Sequence, residues 1–321
     1  MLRMRDADFG FKGGDIVHST VQRAIDSVNK LVLGKERVVR LAMACLLAQG
    51  HLLLEDIPGI GKTTLALTLA RTLGLEFGRI QFTSDLLPAD ITGTSVLDAR
   101  DNTFHFRSGP IFHQLILADE INRATPKTQS ALLEAMGEGQ VSAEGVTYPL
   151  PQPFFVVATQ NPTEQYGTFP LPESQLDRFF MSLRMDYPAR DAERELLNRP
   201  DTRQRIRHME PVMTGAQLME AQAQAGRIRA AESLLDYVLD LAWATRHSDR
   251  LAIGVSPRGA KALVEGAKAW AYLEHRDFCI PEDVQTVAVP IMRHRLVPRG
   301  EYLSWRREHI AEAFLREVAI L

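Results

Sequence analysis

The stretch that decides the fold is Asp56-Ile57-Pro58-Gly59-Ile60-Gly61-Lys62-Thr63-Thr64, directly after the apolar run His51-Leu52-Leu53-Leu54. This order of residue types predicts a buried strand, a glycine-rich turn and the start of a helix. Backbone N–H groups of such a turn, together with the positive end of the helix, surround phosphate oxygens. Gly59 and Gly61 let the backbone approach where a Cβ would collide. We therefore predict a nucleoside triphosphate site, with Lys62 at the β- and γ-phosphates and the Thr63 hydroxyl on Mg²⁺.

Position 56 departs from the strict pattern G-x-x-x-x-G-K-[ST], because the chain has Asp where the pattern has Gly. That position starts the turn and lies farthest from the phosphates, so another residue is compatible with it. The alternative is a tight strand-to-helix turn without a ligand. The complete strand, turn and helix context favours the phosphate loop.

Bulk composition restricts the class of protein. The chain has 321 residues, of which 45% are hydrophobic and 24% charged, which suits one large or two medium globular domains. The net charge of −3 gives no basic field for nucleic acid.

Cys45 and Cys279 lie in apolar helical patterns and are predicted to be buried free thiols, as in a reducing compartment. We see no signal peptide and no apolar run of the roughly 18 residues that a membrane span needs, so we expect a cytoplasmic protein.

Apolar runs predict an α/β core with a parallel five-stranded sheet, since runs of consecutive apolar residues are typical of strands buried between helix layers. The predicted strands are 51–55, 79–83, 115–119, 154–159 and 180–185. After a loose arm, residues 1–15, helices are predicted over 16–30 and 36–49. A later helix begins at Thr125-Pro126 and is expected to end at Gly137. Two inserted hairpins are predicted over 95–106 and 140–148.

The pattern changes after Pro188, and no strand is predicted beyond Asp191. Helices are expected over 192–198, 216–224, 231–247, 258–275, 282–293 and about 307–320. We therefore divide the chain into an arm and core, residues 1–188, and an all-helical domain, residues 189–321. An arginine-rich patch is predicted to be a solvated linker face, with a docking surface as the alternative. The patch comprises Arg199, Arg203, Arg205, Arg207 and His208.

Acidic and amide residues follow two of the predicted strands. Asp119 and Glu120 end the strand 115–119, where one carboxylate is suited to hold Mg²⁺ and the next to polarise the attacking water. Asn161 follows the strand 154–159 and is suited to contact the γ-phosphate and the water, although a simple Asn-Pro turn is the alternative. Because the phosphate loop precedes them at a suitable distance, we predict phosphoryl transfer to water.

Two arginines are candidates for neutralising the charge of the transferring phosphoryl group. Arg178 precedes the last core strand, and Arg258 opens a helix of the second domain, where it is suited to sense the γ-phosphate and couple domain rotation to hydrolysis. For each, the alternative is an ordinary exposed or helix-start arginine. Arg123 is predicted equally well as a structural ion pair or as a contact at a subunit boundary.

The chain resembles the MoxR family of AAA+ ATPases, in the clade with an insert in helix 2. The resemblance covers about residues 20–321 and is carried most specifically by two strings, Ala118-Asp119-Glu120-Ile121-Asn122-Arg123-Ala124 and Leu171-Pro172-Glu173-Ser174-Gln175-Leu176-Asp177-Arg178-Phe179. In family terms, Asp56–Thr63 is similar to Walker A and Leu115–Glu120 to Walker B. Asn161 is similar to sensor 1, Arg178 to the arginine finger and Arg258 to sensor 2. The hairpins at 94–106 and 140–150 resemble the helix-2 insert and the pre-sensor-1 hairpin.

The resemblance implies a hexameric ring that binds ATP and Mg²⁺ between an αβα core and a helical lid. It also implies a chaperone-like role in which protein complexes are matured or metal cofactors inserted, often with a von Willebrand factor A domain protein as partner. We expect nucleotide contacts from one set of residues, namely Pro58, Gly59, Ile60, Gly61, Lys62, Thr63, Thr64 and Gly34.

Three other functions stay open on the sequence. One is the ATPase subunit of a metal chelatase, such as a magnesium chelatase, which would insert a metal into a tetrapyrrole. Another is a nucleic-acid translocase, against which the hairpins argue, because residues 140–150 include Glu144 and no basic residue. The other hairpin has Arg100 and Arg107, but also Asp98 and Asp101. The last is a nucleotide-gated scaffold that rarely turns over, which the Asp119-Glu120 pair disfavours.

Overall fold

The computed structural model describes residues 14–320 apart from residues 56, 58, 101, 144, 162–166 and 199–201. The strands of this part of the chain are β1 (Leu52–Glu55), β2 (Phe77–Gln81), β3 (Gly93–Asp98), β4 (Thr103–Ser108), β5 (Leu115–Asp119), β6 (Gln140–Ala143), β7 (Val146–Pro149), β8 (Phe155–Gln160), β9 (Met181–Leu183), β10 (Leu251–Ile253) and β11 (Val297–Pro298). The helices are α1 (Gly14–Asn29), α2 (Glu36–Leu47), α3 (Lys62–Thr72), α4 (Pro88–Thr92), α5 (Pro126–Glu138), α6 (Glu173–Leu176), α7 (Arg190–Asn198), α8 (Thr202–Arg207), α9 (Gly215–Gly226), α10 (Glu232–Arg246), α11 (Pro257–Leu273), α12 (Pro281–Met292) and α13 (Arg307–Glu317).

A five-stranded parallel sheet in the order β2-β5-β8-β1-β9 forms the centre of the core. The predicted fold class is therefore confirmed. Its strands are apolar on consecutive residues because both faces are covered. Leu52 and Leu54 pack on one side, in the same cluster as Leu117, whereas Leu53 packs on the other side with Ile116. β2 begins two residues earlier than predicted, since its pairing with β5 starts at Phe77.

Both predicted hairpins are present. β3 pairs with β4, and β6 pairs with β7, each in an antiparallel two-stranded ribbon. The rings of Phe106 and Tyr148 stack at a centroid distance of 4.1 Å, which joins the two hairpins. Glu144 and Asp101, at the hairpin turns, lie outside the described residues.

The C-terminal part is helical, as predicted, but the expectation of no strand beyond Asp191 was wrong. β10 and β11 form a short antiparallel ribbon beside α10. These strands are three and two residues long, so neither shows the alternation that identifies a strand in a sequence. α11 packs against α12, and also against α2 and α9. No helix among the described residues has the length and apolar character to span a bilayer.

The helix α5 runs past its predicted end. Gly137 lies inside it, and Gly139 ends it with a positive φ of 64°. This left-handed backbone conformation at the helix end favours glycine, because glycine has no Cβ to collide with the carbonyl. Within the arginine-rich patch, Arg205, Arg207 and His208 are exposed on or beside α8, whereas Arg199 lies outside the described residues.

Candidate functional site

The predicted phosphate loop connects β1 to α3. Gly59 and Gly61 have φ values of 86° and 100°, a left-handed conformation that side chains rarely adopt. A Cβ built on Gly59 meets no atom within 4 Å, so the loop borders open space. Lys62 is the first residue of α3, and Thr63 and Thr64 follow in its first turn, where backbone N–H groups have no partner within the helix. Asp56 and Pro58 lie outside the described residues.

A cavity of about 190 Å³ adjoins this loop. Its lining residues come from the α1–α2 connection, the loop and the segment after β9, and they are Leu31, Val32, Leu33, Lys35, Gly59, Ile60, Gly61, Thr64, Pro188, Leu196 and Thr202. Gly34 stands between two lining residues with a φ of 65°, and a Cβ there would lie 2.9 Å from the Cβ of Ala192. Lys35 donates a hydrogen bond to the carbonyl of Tyr187 over 3.0 Å. An apolar cavity beside a phosphate loop is suited to a nucleobase.

The two acids lie at the end of β5, and one threonine holds both. The Thr159 hydroxyl, fully buried on β8, donates to Asp119 Oδ1 over 2.7 Å and accepts from the Glu120 backbone N–H over 2.9 Å. Glu120 has a positive φ of 57°, which is uncommon for a residue with a side chain. This backbone conformation directs the chain away from the strand directly after Asp119. Thr159 therefore fixes the position of the acidic pair.

Side chains on the neighbouring strand β2 engage the same acids. Arg79 Nη2 lies 2.6 Å from Asp119 Oδ2, and Gln81 Nε2 donates to Glu120 Oε2 over 3.0 Å. Arg123 Nε lies 3.2 Å from the same Glu120 oxygen, so the structural ion pair predicted as one alternative for Arg123 is present. The reasoning from the sequence missed Thr159, Arg79 and Gln81. These are polar residues within predicted apolar strands, which is a signal in the sequence. They can be assigned to the acids only when β2 and β8 are known to be the neighbours of β5.

Asn161 directly follows β8, the strand between β5 and β1. The residue is buried, with 4% exposed, and its backbone carbonyl accepts from Asn122 Nδ2 over 3.4 Å. The preceding residue Gln160 donates to Glu55 Oε1 over 2.5 Å, which joins the ends of β8 and β1. Since the ends of parallel strands share one edge of a sheet, Lys62, the acids and Asn161 all lie at this carboxyl-terminal edge.

Arg178 and Arg258 lie at the opposite edge. Both line a cavity of about 280 Å³ together with Gly50 and His51, which precede β1, and Phe180, which precedes β9. A four-residue strand spans about 13 Å at the usual rise per residue. The two arginines at this amino-terminal edge are therefore separated by the sheet from the phosphate loop of their own chain.

The guanidinium of Arg178 is held against α5. Its Nη1 donates to the carbonyl of Leu133 over 2.8 Å, and a Cβ on Gly137 would lie 2.7 Å from the same nitrogen. Glycine at position 137 thus leaves room for Arg178. The contact explains why α5 continues through a glycine at position 137, where the sequence predicts the end of the helix.

His51 supports the same edge from inside the core. Its Nδ1 accepts from the Val156 backbone N–H over 3.1 Å, so its Nε2 carries the proton and donates to the carbonyl of Met136 over 3.2 Å. Burial lowers the pKa of His51 to about 4, which keeps the imidazole neutral. The ring therefore joins β1, β8 and α5 as a neutral group.

The parallel sheet, the phosphate loop and the acids after a neighbouring strand define the chain as a P-loop ATPase of the AAA+ class. Two family models match the chain, one for the ATPase family associated with various cellular activities over residues 51–181 and one for the AAA lid domain over residues 243–313. A solved structure of a candidate ATPase from Cytophaga hutchinsonii superposes with a TM-score of 0.87 at 37% identity, covering 97% of each chain.

More specific likeness comes from named relatives. Chaperone MoxR1 of Mycobacterium tuberculosis is 40% identical over 87% of this chain and 76% of its own length. Protein MoxR of Paracoccus denitrificans is 35% identical over 93% of this chain and 94% of its own. The uncharacterized protein YeaC of Bacillus subtilis is 44% identical over 94% of both chains. This chain belongs to the MoxR family of AAA+ ATPases.

Proposed function

We propose that this chain binds ATP with Mg²⁺ and hydrolyses it to ADP and phosphate in a ring of identical copies, a hexamer. The observation that carries the proposal is the division of the candidate residues between two edges of one sheet. The carboxyl-terminal edge has the loop, the acids and Asn161, whereas Arg178 and Arg258 lie at the other edge. A copy whose amino-terminal edge faces the phosphate loop of the next copy would complete the site.

The carboxyl-terminal edge is suited to a magnesium nucleotide. Mg²⁺ binds through one or two carboxylates together with substrate phosphates, and the side chain of Asp119 at the strand end is 14% exposed. Asp119 and Thr63 would hold the ion, which when bound neutralises charge on the phosphate oxygens. Open space beside Gly59 leaves room for the phosphates. The donor set and the shape of the loop therefore fit.

The chain's own residues would position the reacting groups. Lys62 would bind the β- and γ-phosphate oxygens, and Asn161 would orient the attacking water. Glu120 would accept a proton from that water, and its position at a fixed backbone turn beside Thr159 suits this part. Arg178 and Arg258 of the next copy would neutralise charge that develops in the transition state.

We further propose that the ring remodels or matures protein complexes, with insertion of a metal cofactor as one form of that maturation and a von Willebrand factor A domain protein as partner. The two hairpins support a protein client. The apolar residues they expose include Val96, Leu97, Phe104 and Val146. A nucleic-acid translocase needs basic side chains that follow phosphates. The β3–β4 hairpin exposes Arg100 and Arg107, but residues 140–150 of the other hairpin include no basic residue.

The test is phosphate release by Glu120→Gln. Removing the proton acceptor should lower kcat by about 10²- to 10⁴-fold and leave nucleotide affinity intact, because the phosphate loop is unchanged. The matched control is Glu232→Gln, an exposed glutamate of α10, which should turn over like the unmodified protein. Co-purification of the trapped Glu120→Gln ring from native extract would then identify a client. Normal turnover by Glu120→Gln would contradict the assignment.

A further inference from the structure

Three consecutive buried residues, Arg293, His294 and Arg295, directly follow α12 and lie between the helical domain and the core sheet. Arginine is seldom buried unless it is paired. Here both arginines are paired, and the two pairs lead to opposite edges of the sheet. These residues, which we name the 293–295 segment, take no part in the function proposed above.

Arg293 contacts the residue that leads into the phosphate loop. Its Nη2 lies 3.0 Å from Glu55 Oε2 and 2.8 Å from Glu308 Oε1. Glu55 is the last residue of β1, and it also accepts hydrogen bonds from Gln160 Nε2 over 2.5 Å and from Ser182 Oγ over 2.7 Å. Gln160 in turn directly precedes Asn161. Arg293 therefore supports the base of the nucleotide site in its own chain.

Arg295 contacts the residue beside Arg178. Its Nε donates to Asp177 Oδ1 over 2.7 Å, and its Nη2 donates to the carbonyl of Phe179 over 2.6 Å. His294 Nε2 lies 2.9 Å from the same carbonyl. Arg295 thus holds the backbone on both sides of Arg178.

Asp177 also connects this segment to Arg258. Its two carboxylate oxygens accept from Ser256 Oγ over 3.2 and 3.1 Å. Ser256 caps the start of α11 by accepting from the Gly259 N–H over 3.0 Å, and Arg258 lies in that first turn. One carboxylate is therefore joined to the surroundings of both arginines at the amino-terminal edge.

Burying two guanidinium groups is costly. Burial lowers the pKa of Arg293 and of Arg295, and the carboxylates of Glu55 and Glu308 in one case and of Asp177 in the other oppose that effect. Apolar residues would fill the same space without this desolvation penalty. The several hydrogen bonds of the Arg295 guanidinium and the two ion pairs of Arg293 instead fix the relative positions of the groups that they join.

We propose that the 293–295 segment is a relay that couples the chain's own nucleotide site to the arginines it presents to the next copy. In this relay Glu55 and Asp177 are positioning residues: a displacement of Glu55 passes through Arg293 and Arg295 to Asp177, and so to Arg178 and Arg258. The proposal rests on the proposed function, in which those arginines act on the neighbouring copy.

The test uses mixtures of two inactive variants. The acceptor is Arg178→Ala, which keeps its own phosphate loop, and the donor is Lys62→Ala, which keeps both arginines. Rescued ATP turnover reports on the donor's arginines. Since the donor's own site is already inert, a second change at Glu55 cannot act through ATP turnover at that site, and transmission to the other edge is separated from a general loss of stability by the control below. We expect Glu55→Gln in the donor to lower rescue by roughly tenfold or more, the scale of small misplacements. Asp177→Asn in the donor should lower rescue by a similar factor.

The matched control is Asp283→Asn in the donor. Asp283 is also buried and paired, with Arg276, and it lies in α12, the helix that precedes the 293–295 segment, but its partner belongs to the helical domain. This donor should rescue as well as the plain donor, even with a comparable loss in melting temperature. Arg293→Lys serves as a second variant, since a lysine keeps the charge but is one bond shorter, so its nitrogen cannot take the place of Nη2, which meets both Glu55 and Glu308.

Each outcome is decisive. Loss of rescue with Glu55→Gln and Arg293→Lys, but not with Asp283→Asn, supports the relay. Full rescue by the Glu55→Gln and Arg293→Lys donors would overturn the relay and leave the proposed function standing. No rescue by the plain donor would overturn the action between copies, and the relay with it.

Discussion

The two edges of the central sheet differ in how their charges are arranged. At the carboxyl-terminal edge, Asp119 and Glu120 are paired within the chain by Arg79, Arg123 and Thr159. At the amino-terminal edge, the cavity is lined by four cationic side chains and only two acidic ones. The cationic residues are Arg178, Arg258, Lys261 and Arg295, and the acidic ones are Asp177 and Glu265. One edge thus has the groups that we propose to bind and activate, and the other has Arg178 and Arg258, the cations that we propose for the phosphoryl transition state.

In the proposed function, neither edge is a complete site. Arg79 and Arg123 pair with the acids of their own chain, whereas Arg178 and Arg258 are separated from those acids by the sheet. In the proposed function, hydrolysis therefore depends on the arginines of a second copy. Changes at the two edges should therefore have different consequences for binding and for turnover.

The largest expected effect is that of Lys62→Ala. Removing the cation at the phosphates should abolish ATP binding, and with it turnover, because phosphate charge is then left without its main side-chain partner. A fluorescent ATP analogue measures the binding. The matched control at the other edge is Lys261→Ala, which should bind the analogue as the unmodified protein does. Tight binding by Lys62→Ala would contradict the phosphate-loop assignment.

Arg178→Ala should have the next largest effect, on turnover alone. By analogy with arginines supplied between subunits, kcat should fall by about 10³-fold or more, whereas the affinity for ATP should stay unchanged. Arg258→Ala should act in the same direction. Steady-state kinetics together with direct binding separate the two quantities. If Arg178→Ala lost nucleotide binding instead, the arginine would belong to the site of its own chain.

Gly137→Ala should have a smaller effect, of about tenfold on kcat, by displacing the Arg178 guanidinium. Stability should stay level or rise by up to about 1 kcal/mol, since alanine favours a helix interior and the displaced group is the flexible end of a side chain.

Gly139→Ala is the matched control, two positions further along. No atom lies within 4 Å of a Cβ at this site, but the φ of 64° disfavours alanine by about 1 kcal/mol. Gly139→Ala should therefore be less stable than the unmodified protein and have the same kcat, whereas Gly137→Ala should have a lower kcat and no loss of stability. Equal kcat values for the two variants would show that Arg178 does not depend on the space at Gly137.

The smallest effect is a dependence of stability on pH. The pKa of His51 is lowered from 6.5 to about 4 by burial, so between these values the unfolded chain binds a proton that the folded chain excludes. Because of this group, the free energy of unfolding should fall by roughly 3 kcal/mol as the pH drops from about 6.5 to 4. Above pH 6.5, His51 should contribute no pH dependence. Burial lowers the pKa of His294 as well, which acts in the same direction.

Denaturant unfolding at several pH values measures this effect. The variant His51→Gln, which has no titrating group at this position, should show a shallower loss of stability on acidification than the unmodified protein. Identical slopes for the two proteins would show that His51 is not protonated on unfolding.

The sequence was most informative at the carboxyl-terminal edge. The phosphate loop and the acidic pair depend on local order, and apolar runs buried on both faces predicted the five strands. The partners of the acids were missed, because Arg79, Gln81 and Thr159 reach them only through the strand order β2-β5-β8. Pairing between strands distant along the chain leaves no local pattern.

The end of α5 was predicted wrongly for a related reason. Both Gly137 and Gly139 are reasonable helix ends, and only the contact of position 137 with Arg178, far along the chain, distinguishes them. The ribbon of β10 and β11 is likewise too short to recognise. The domain boundary near residue 188 and the roles of the site residues stay predictions.

The most direct test of the division between the two edges is ATP turnover in mixtures of Lys62→Ala and Arg178→Ala chains. Each variant alone should be inactive, the first for lack of nucleotide and the second for lack of a guanidinium from its neighbour. In mixtures, turnover should appear and be greatest near equal proportions, where most neighbouring pairs join an intact phosphate loop to an intact Arg178. Turnover that stays at the level of the separate variants at every ratio would contradict the account.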